Sequence, residues 1–475
     1  MLPRLIQGGM GVGVSSWTLA NEVASLGQLG VVSGTALDTI LVRRLASGDV
    51  GGHIRRALST FPAPHIATAV LSRCFRAEGA PTVGQRFPLL PLPGAQLSRD
   101  REWLLILANY VEVYLAKERH DGVVGINYLH KIQFPTLPSL YGAMLAGVDA
   151  VLMGAGIPGD IPAALDLLSH NLPATITLDV QDAGETKHTS TFDPVTLWIE
   201  AGIPAPSLAR PDFLAIVSSA TLARALLKKA PGGIQGFIVE APTAGGHNAP
   251  PRGPQQLSVK GEPIYGERDS VDLTQMVSLG IPFWLAGGYA TRSKFREALA
   301  AGAHGIQIGT AFAFCEESGL EPNLRRHFLA SFLHGDVDVF TDPAASPTSF
   351  PFKVATLHGS LSDEVPYESR PRLCDLGYLR RAFERPDGSL GYRCPGEPEA
   401  AYIRKGGNAE DTCGRKCLCN SLLANVGLGQ RRADGYEELP LLTAGDDLEC
   451  IRPFIKMNHL TYHARDVIDA VLPLP

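Results

Sequence analysis

The chain has 475 residues, with 42 Lys and Arg against 48 Asp and Glu and a net charge of −6. Without any block of Lys or Arg, that balance excludes a nucleic-acid surface as the main feature. No uncharged apolar run reaches the roughly 18 residues that span a bilayer, and strand-like Leu5 and Ile6 follow Met1 almost at once. The expectation is a cytoplasmic protein acting on a small molecule, with neither nucleic acid nor membrane among its partners. In that compartment the eight cysteines read as reduced thiols or metal ligands rather than disulfides.

Taken in order, apolar runs too continuous to face water alternate with amphipathic helices. Leu5 to Gln7 reads as the first buried strand and ends in the bare loop Gly8-Gly9-Met10-Gly11. A helix opened by Ser16 and stopped at Gly27 leads to Leu29 to Val32, and Val123 to Ile126 ends at Asn127. Thr136 opens a helix that ends at Gly147 before Ala150 to Met153, and Phe213 to Val217 and Phe237 to Glu240 follow. Ser270 opens another, ending at Gly280 before Phe283 to Ala286 and the pair Gly287-Gly288. Thr291 caps a last helix, with Phe295, Ala298 and Leu299 on one face, which stops at a left-handed Gly302 before Gly305 to Ile308 and Gly309-Thr310.

Eight strands alternating with helices predict an α/β fold, a (β/α)8 TIM barrel. An open doubly wound sheet would carry G-x-G-x-x-G after its first strand, and Gly8 to Gly13 lacks that spacing. A bare barrel needs about 250 residues, so there is chain to spare. The barrel is expected at 1–340, with insertions at about 61–120 and 173–210 as candidate lids or interface elements. Thr175 to Val180 alternates like a hairpin strand. Residues 341–475 form a cysteine-containing C-terminal extension that closes with a helix, Ala464 to Leu472.

In a β/α barrel the loops after strands seven and eight commonly hold a phosphate, because glycines let backbone N–H groups reach the anion. Gly287, Gly288, Gly309 and Thr310 suit that task, although glycine pairs also make ordinary tight turns. The loop Glu240 to Asn248 follows the sixth strand and carries His247, which can exchange protons near neutral pH. As a lone histidine it could instead cap the loop. The loop Gly8 to Gly11 lets backbone amides approach a ligand, and Asn127 offers both donor and acceptor. Histidines 53, 120, 130, 304 and 334 lack such a setting and read as surface or packing residues.

Five loops carry a resemblance: IQGGM at 6–10, GIN at 125–127, AGGH at 244–247, LAGG at 285–288 and GIQIGTAF at 305–312. In this order, over residues 1–335, they resemble the nitronate monooxygenase (2-nitropropane dioxygenase) family of FMN-dependent barrels. The resemblance implies that Ala286, Gly287, Gly288, Gly309 and Thr310 hold the FMN phosphate. It also implies that Gly9, Met10, Asn127, Gly245 and Gly246 line the isoalloxazine, with His247 as catalytic base or orienting group. The implied reaction oxidises an alkyl nitronate or related carbon acid with O2. One departure is the acidic residue usual just before AGGH, replaced here by Pro242-Thr243 with Glu240 upstream.

The same loops resemble FMN-dependent enoyl reductases, which pass hydride from NAD(P)H to a carrier-bound acyl chain and would add an acyl carrier protein or synthase as partner. Ser346 to Lys353 resembles a segment of the reductase component of polyunsaturated-fatty-acid and polyketide synthases. A flavin- or metal-binding scaffold without turnover is the remaining alternative, against which the rim position of His247 speaks. Cys394, Cys413, Cys417 and Cys419 form C…C-x3-C-x-C, and four thiolates could hold zinc or an iron–sulfur cluster. The spacing contains no C-x-x-C pair, so no metal is expected and the four read as ordinary thiols.

Overall fold

Eight short runs of small and branched apolar residues, each ending in glycine, serine or a turn, form one closed parallel barrel. The structure, a computed structural model, describes residues 2–79, 86–230, 232–456 and 459–472. The barrel strands are β1 (Leu5–Gln7), β2 (Gly30–Ser33), β3 (Val124–Leu129), β4 (Ala150–Gly154), β5 (Asp212–Val217), β6 (Gly236–Glu240), β7 (Phe283–Ala286) and β8 (Gly305–Ile308). Each pairs in parallel with its sequence neighbours, and β8 returns to β1. The seam between β1 and β2 is closed by Gln7 N donating to Leu29 O (3.0 Å) and Leu29 N donating to Leu5 O (3.1 Å). All eight predicted runs are strands, and the fold is the predicted (β/α)8 barrel.

Alternation along these strands sends one set of side chains inward. Ile6, Val31, Leu152, Leu214, Ile238 and Trp284 make one compact cluster that fills the barrel, as side-chain layers do in this fold. A second, larger cluster lies between strands and helices and runs without a break into residues beyond 341, including Phe352, Leu418, Leu423 and Tyr462. Burial therefore ties the extension to the barrel wall.

The local signals held in part. Ser16 occupies the N-cap of Trp17–Ser25, and Thr291 Oγ1 accepts from Lys294 N (3.3 Å). Gly302 is left-handed, with φ +89°. The helix after β6 begins at Leu273 instead of near Ser270, because the Asp272 carboxylate accepts from Thr274 N and Gln275 N (3.0 and 3.3 Å) and supplies the stronger cap. Thr136 is the first helical residue rather than the cap, and its hydroxyl donates to Ile132 O (2.8 Å). Strand β3 runs past its predicted end, so Asn127 lies inside it.

The first insertion packs against the barrel's helices. Its helix Arg99–Ala116 is buried along most of its length and packs on the helix Thr136–Leu145. The approach is so close that a Cβ on Gly142 would stand 2.2 Å from Ile106 O. Arg101 is ion-paired with Asp38, both side chains almost fully buried. Residues 80–85 of that insertion lie outside the described residues. The second insertion contains the expected hairpin, Ala174–Thr177 antiparallel to Thr189–Phe192. It also sends Trp198 onto Trp103, ring centroids 5.4 Å apart.

The extension opens with Val339–Asp342 paired antiparallel to Phe352–Ala355 and closes with the helix Ala464–Val471. Arg292 donates to the carbonyls of Asp469, Ala470 and Leu472 at the end of that helix (2.9, 3.1 and 2.9 Å). Among the described residues no helix is long and apolar enough to cross a membrane.

Candidate active site

A cavity of about 250 Å³ opens at the C-terminal ends of the barrel strands. Gly9, Met10, Asn127, Gly245, Gly246, His247, Ala286, Gly287, Gly288, Gly309 and Thr310 all line it. Residues scattered over three hundred positions of sequence thus share one cavity.

The loop after β1 is held by buried polar groups beneath it. Gln7 Nε2 donates to Ser15 Oγ (2.8 Å), Gln7 Oε1 accepts from Val31 N (2.9 Å), and Ser15 Oγ accepts from Met10 N (2.8 Å). Gly9 is pressed on Asn127, and a Cβ there would come within 2.2 Å of Asn127 Cβ. Among the described residues the Asn127 amide reaches only Tyr128 O, at 3.4 Å.

Across the cavity the loops after β7 and β8 form a bare cradle. Gly287 (φ +97°) and Gly288 (φ +78°) both need the left-handed region. A Cβ on Gly287 would strike Thr243 Oγ1 at 2.7 Å, whereas one on Gly288 would meet nothing within 4 Å. Gly309 has φ −106°, and a Cβ there would meet only Met10 Sδ at 3.9 Å. Thr310 Oγ1 accepts from Gly445 N (2.9 Å), which leaves its own proton to donate. Beside them Gln307 Oε1 is buried with no hydrogen-bond partner among the described residues. No Lys or Arg is among the described lining residues, so an anion in this cradle would depend on backbone N–H groups and the Thr310 hydroxyl.

His247 is held from behind by the extension. Its backbone bridges antiparallel to Phe352, Lys353 N donates to Gly246 O (2.9 Å) and Asn248 N donates to Pro351 O (2.9 Å). The segment Ser346 to Lys353 is therefore the wall against which the imidazole rests, edge-on to the Phe352 ring at 4.9 Å. His247 Nε2 pairs with Ser346 Oγ (2.7 Å), and Ser346 Oγ pairs with Thr348 Oγ1 (2.8 Å). Nδ1 has no hydrogen bond among the described residues and remains for a ligand. The ring is half-buried by surface, and its exposed part faces the cavity. Burial pushes its pKa down to about 4, so it is neutral at neutral pH. Burial likewise pushes Glu240, at the end of β6, up to about 7.

Several site residues escaped the sequence reading. Thr443 Oγ1 accepts from Gly246 N (2.9 Å), Asp446 N donates to Thr243 O (3.0 Å), and Tyr378, Leu418 and Leu422 complete the cap of the cavity. Gln307 did carry a signal: it is the lone polar side chain in a buried run, and such groups need a partner. Of the four candidate cysteines, Cys413 is exposed, while Cys394, Cys417 and Cys419 pack inward.

A closed β/α barrel with a glycine cradle and a histidine at the C-terminal mouth of its strands has the layout of a small-molecule site. Residues 206–337 match the family model of nitronate monooxygenase. That segment runs from before β5 to past β8 and includes His247 and the cradle. Among solved structures, the chain is similar to FabK from Thermotoga maritima (15% identity, 98% of this chain and 91% of that one, TM-score 0.47). It is also similar to nitroalkane oxidase from Streptomyces ansochromogenes (16% identity, 98% and 94%, TM-score 0.44). A third similar structure is the enoyl reductase domain of MlnA from the macrolactin biosynthesis cluster of Bacillus amyloliquefaciens (14% identity, 75% and 64%, TM-score 0.36). No curated protein sequence matches.

Proposed function

We propose that the cavity binds FMN and that the chain oxidises alkyl nitronates or related small carbon acids, with O2 as electron acceptor. The observation that carries this reading is the convergence, in one cavity, of a side-chain-free cradle at 287–288 and 309–310 with a neutral imidazole at 247. FMN fits the residues present. The cradle suits its phosphate, the unpartnered Gln307 Oε1 and the Asn127 amide suit a heterocycle with donors and acceptors, and Met10 and Ile216 offer apolar surface to a flat ring.

When bound, the flavin would take the electrons leaving the carbon acid and pass them to O2. The protein's own part is positioning and proton control. Gly9 brings the first loop against Asn127, so the floor of the site is fixed before any ligand arrives. His247 presents Nδ1, and a proton taken there is balanced by the Nε2 hydrogen bond to Ser346 Oγ and onward to Thr348. A base works best with a pKa near the operating pH, and a value of about 4 makes His247 a weak base toward a neutral carbon acid. This favours the nitronate, which has already lost its proton, with His247 orienting it. Leu418, Leu422 and Leu442 line the same space with apolar surface.

The test is anaerobic reduction of the flavin-loaded chain, an alkyl nitronate compared with NADPH. Bleaching by the nitronate alone supports the proposal; bleaching by NADPH alone transfers the chain to the enoyl-reductase reading, with a carrier-bound acyl substrate.

A further inference from the structure

We propose that Lys353 is a positioning residue for this site: its ion pair with Asp446 latches residues 443–446 as a strap across the rim, and the strap lifts to admit or release the ligand. The inference deepens the FMN reading and rests on it only for the identity of that ligand.

The strap is tied to the rim on both sides of the cradle. Gly246 N donates to Thr443 Oγ1 (2.9 Å) and Asp446 N donates to Thr243 O (3.0 Å), so the strap runs along the loop after β6. Gly445 N donates to Thr310 Oγ1 (2.9 Å), which carries it to the loop after β8. Strand β7 lies between β6 and β8, so residues 443–446 bridge the two loops that flank Gly287 and Gly288. The approach is backbone on backbone. A Cβ on Gly245 would stand 2.8 Å from the Ala444 carbonyl carbon, and one on Gly445 would stand 2.8 Å from Thr243 O. Thr443, Ala444 and Gly445 line the cavity from there.

One strand of the extension, Phe352–Ala355, holds both the strap and the histidine loop. Ala355 N donates to Leu442 O (3.0 Å) and fixes the root of the strap. Lys353 N donates to Gly246 O (2.9 Å), beside the bridge from Phe352 to His247. The Lys353 side chain reaches the far end of the strap. Its Nζ lies 2.6 Å from Asp446 Oδ1 and donates to the hydroxyl of its cross-strand neighbour Thr341 (2.7 Å). A single residue thus sets both the backbone that carries the imidazole and the end of the strap.

All four residues of this strand are buried, and an ammonium in such a run is stable only when paired. The two partners are unequal: the Lys353 side chain is 2% exposed and that of Asp446 is 45% exposed. Only the carboxylate has water to move into, so the pair opens by Asp446 swinging outward and taking the strap with it.

The experiment is amide hydrogen exchange of the flavin-free full chain, read on peptides covering 243–248 and 443–447, in the parent and in Asp446→Asn. Breaking a half-exposed pair should speed exchange there about tenfold, between the effects of exposed and buried pairs, and leave the helix Arg99–Ala116 unchanged. Asp446→Glu, which keeps the charge, should behave as the parent. Gly445→Ala, which presses a methyl on Thr243 O, should loosen the same peptides by a different route. In stopped-flow mixing with FMN, Asp446→Asn should raise both the association and the dissociation rate, because a lifted strap opens the way in as well as out. A lost ligand contact would raise dissociation alone. Adding Asp446→Asn to Lys353→Met should change nothing further. Exchange as slow in Asp446→Asn as in the parent, the same loosening in Asp446→Glu, or faster dissociation with unchanged association would overturn the inference. A chain that takes up no flavin would end the FMN reading instead, and the hydrogen-exchange arm would still decide for or against the latch.

Discussion

Replacing Gly309 with aspartate should abolish FMN binding while leaving the barrel intact. Its φ of −106° is one that any L-residue adopts, and the new Cβ would meet only Met10 Sδ at 3.9 Å, so the carboxylate enters the cavity without backbone strain. It would then stand in the cradle proposed for the phosphate, among lining residues that offer no Lys or Arg to screen it. Two unit charges 4 Å apart repel by about 4 kcal/mol at an effective dielectric of about 20, which is about three orders of magnitude in affinity. Gly309→Ala, with the same Cβ and no charge, should cost less than about tenfold. The assay is fluorescence titration of the flavin-free chain with FMN and with riboflavin, which lacks the phosphate. FMN affinity should collapse in Gly309→Asp while riboflavin affinity stays close to that of Gly309→Ala. Equal losses for both flavins, or none, would refute the phosphate cradle.

Further outcomes follow from the same geometry. Gly287→Ala should destabilise the fold by about 1–2 kcal/mol or more, since it forces a left-handed L-residue against Thr243 Oγ1; thermal unfolding beside Gly309→Ala measures the difference. His247→Asn should slow turnover of a neutral nitroalkane by about 10²-fold, the low end for a general base, and slow the nitronate less; equal losses would make His247 solely an orienting group. In kcat/KM the acid limb due to His247 should fall near pH 4 rather than 6.5, because burial keeps the ring neutral until then. In the flavin-free chain the two buried groups oppose each other. The His247 pKa is lowered on folding, so between about 4 and 6.5 the unfolded chain binds more protons and stability rises with pH. The Glu240 pKa is raised from 4.5 to about 7, so through that window stability falls as pH rises. Glu240→Gln should therefore expose a rise of at most about 3 kcal/mol from pH 4 to 6.5 that the parent lacks; urea unfolding curves as flat as the parent's would contradict the burial of His247.

Much of the barrel was legible because its signal is local. Strands buried on both faces must be apolar along their whole length, and the turns that follow them must be small, so Phe283 to Gly288 and Gly305 to Thr310 mark themselves. The rim residues came with the strands, since this fold places loop residues after each strand at one mouth. What stayed hidden was long-range. Nothing near His247 in sequence announces that Phe352 will bridge to it or that Ser346 will bind its ring, because that pairing spans about a hundred residues. The burial of the helix Arg99–Ala116 depends on its close approach to Gly142, a contact that sequence spacing does not show.

The central claim is that the mouth of this barrel is an FMN site, and the most direct measurement is the identity of what the purified full chain releases on unfolding. The account predicts a yellow protein that releases FMN, non-covalently held and close to one per chain. Release of FAD, or of no flavin from a chain that also fails to take up added FMN, would contradict it.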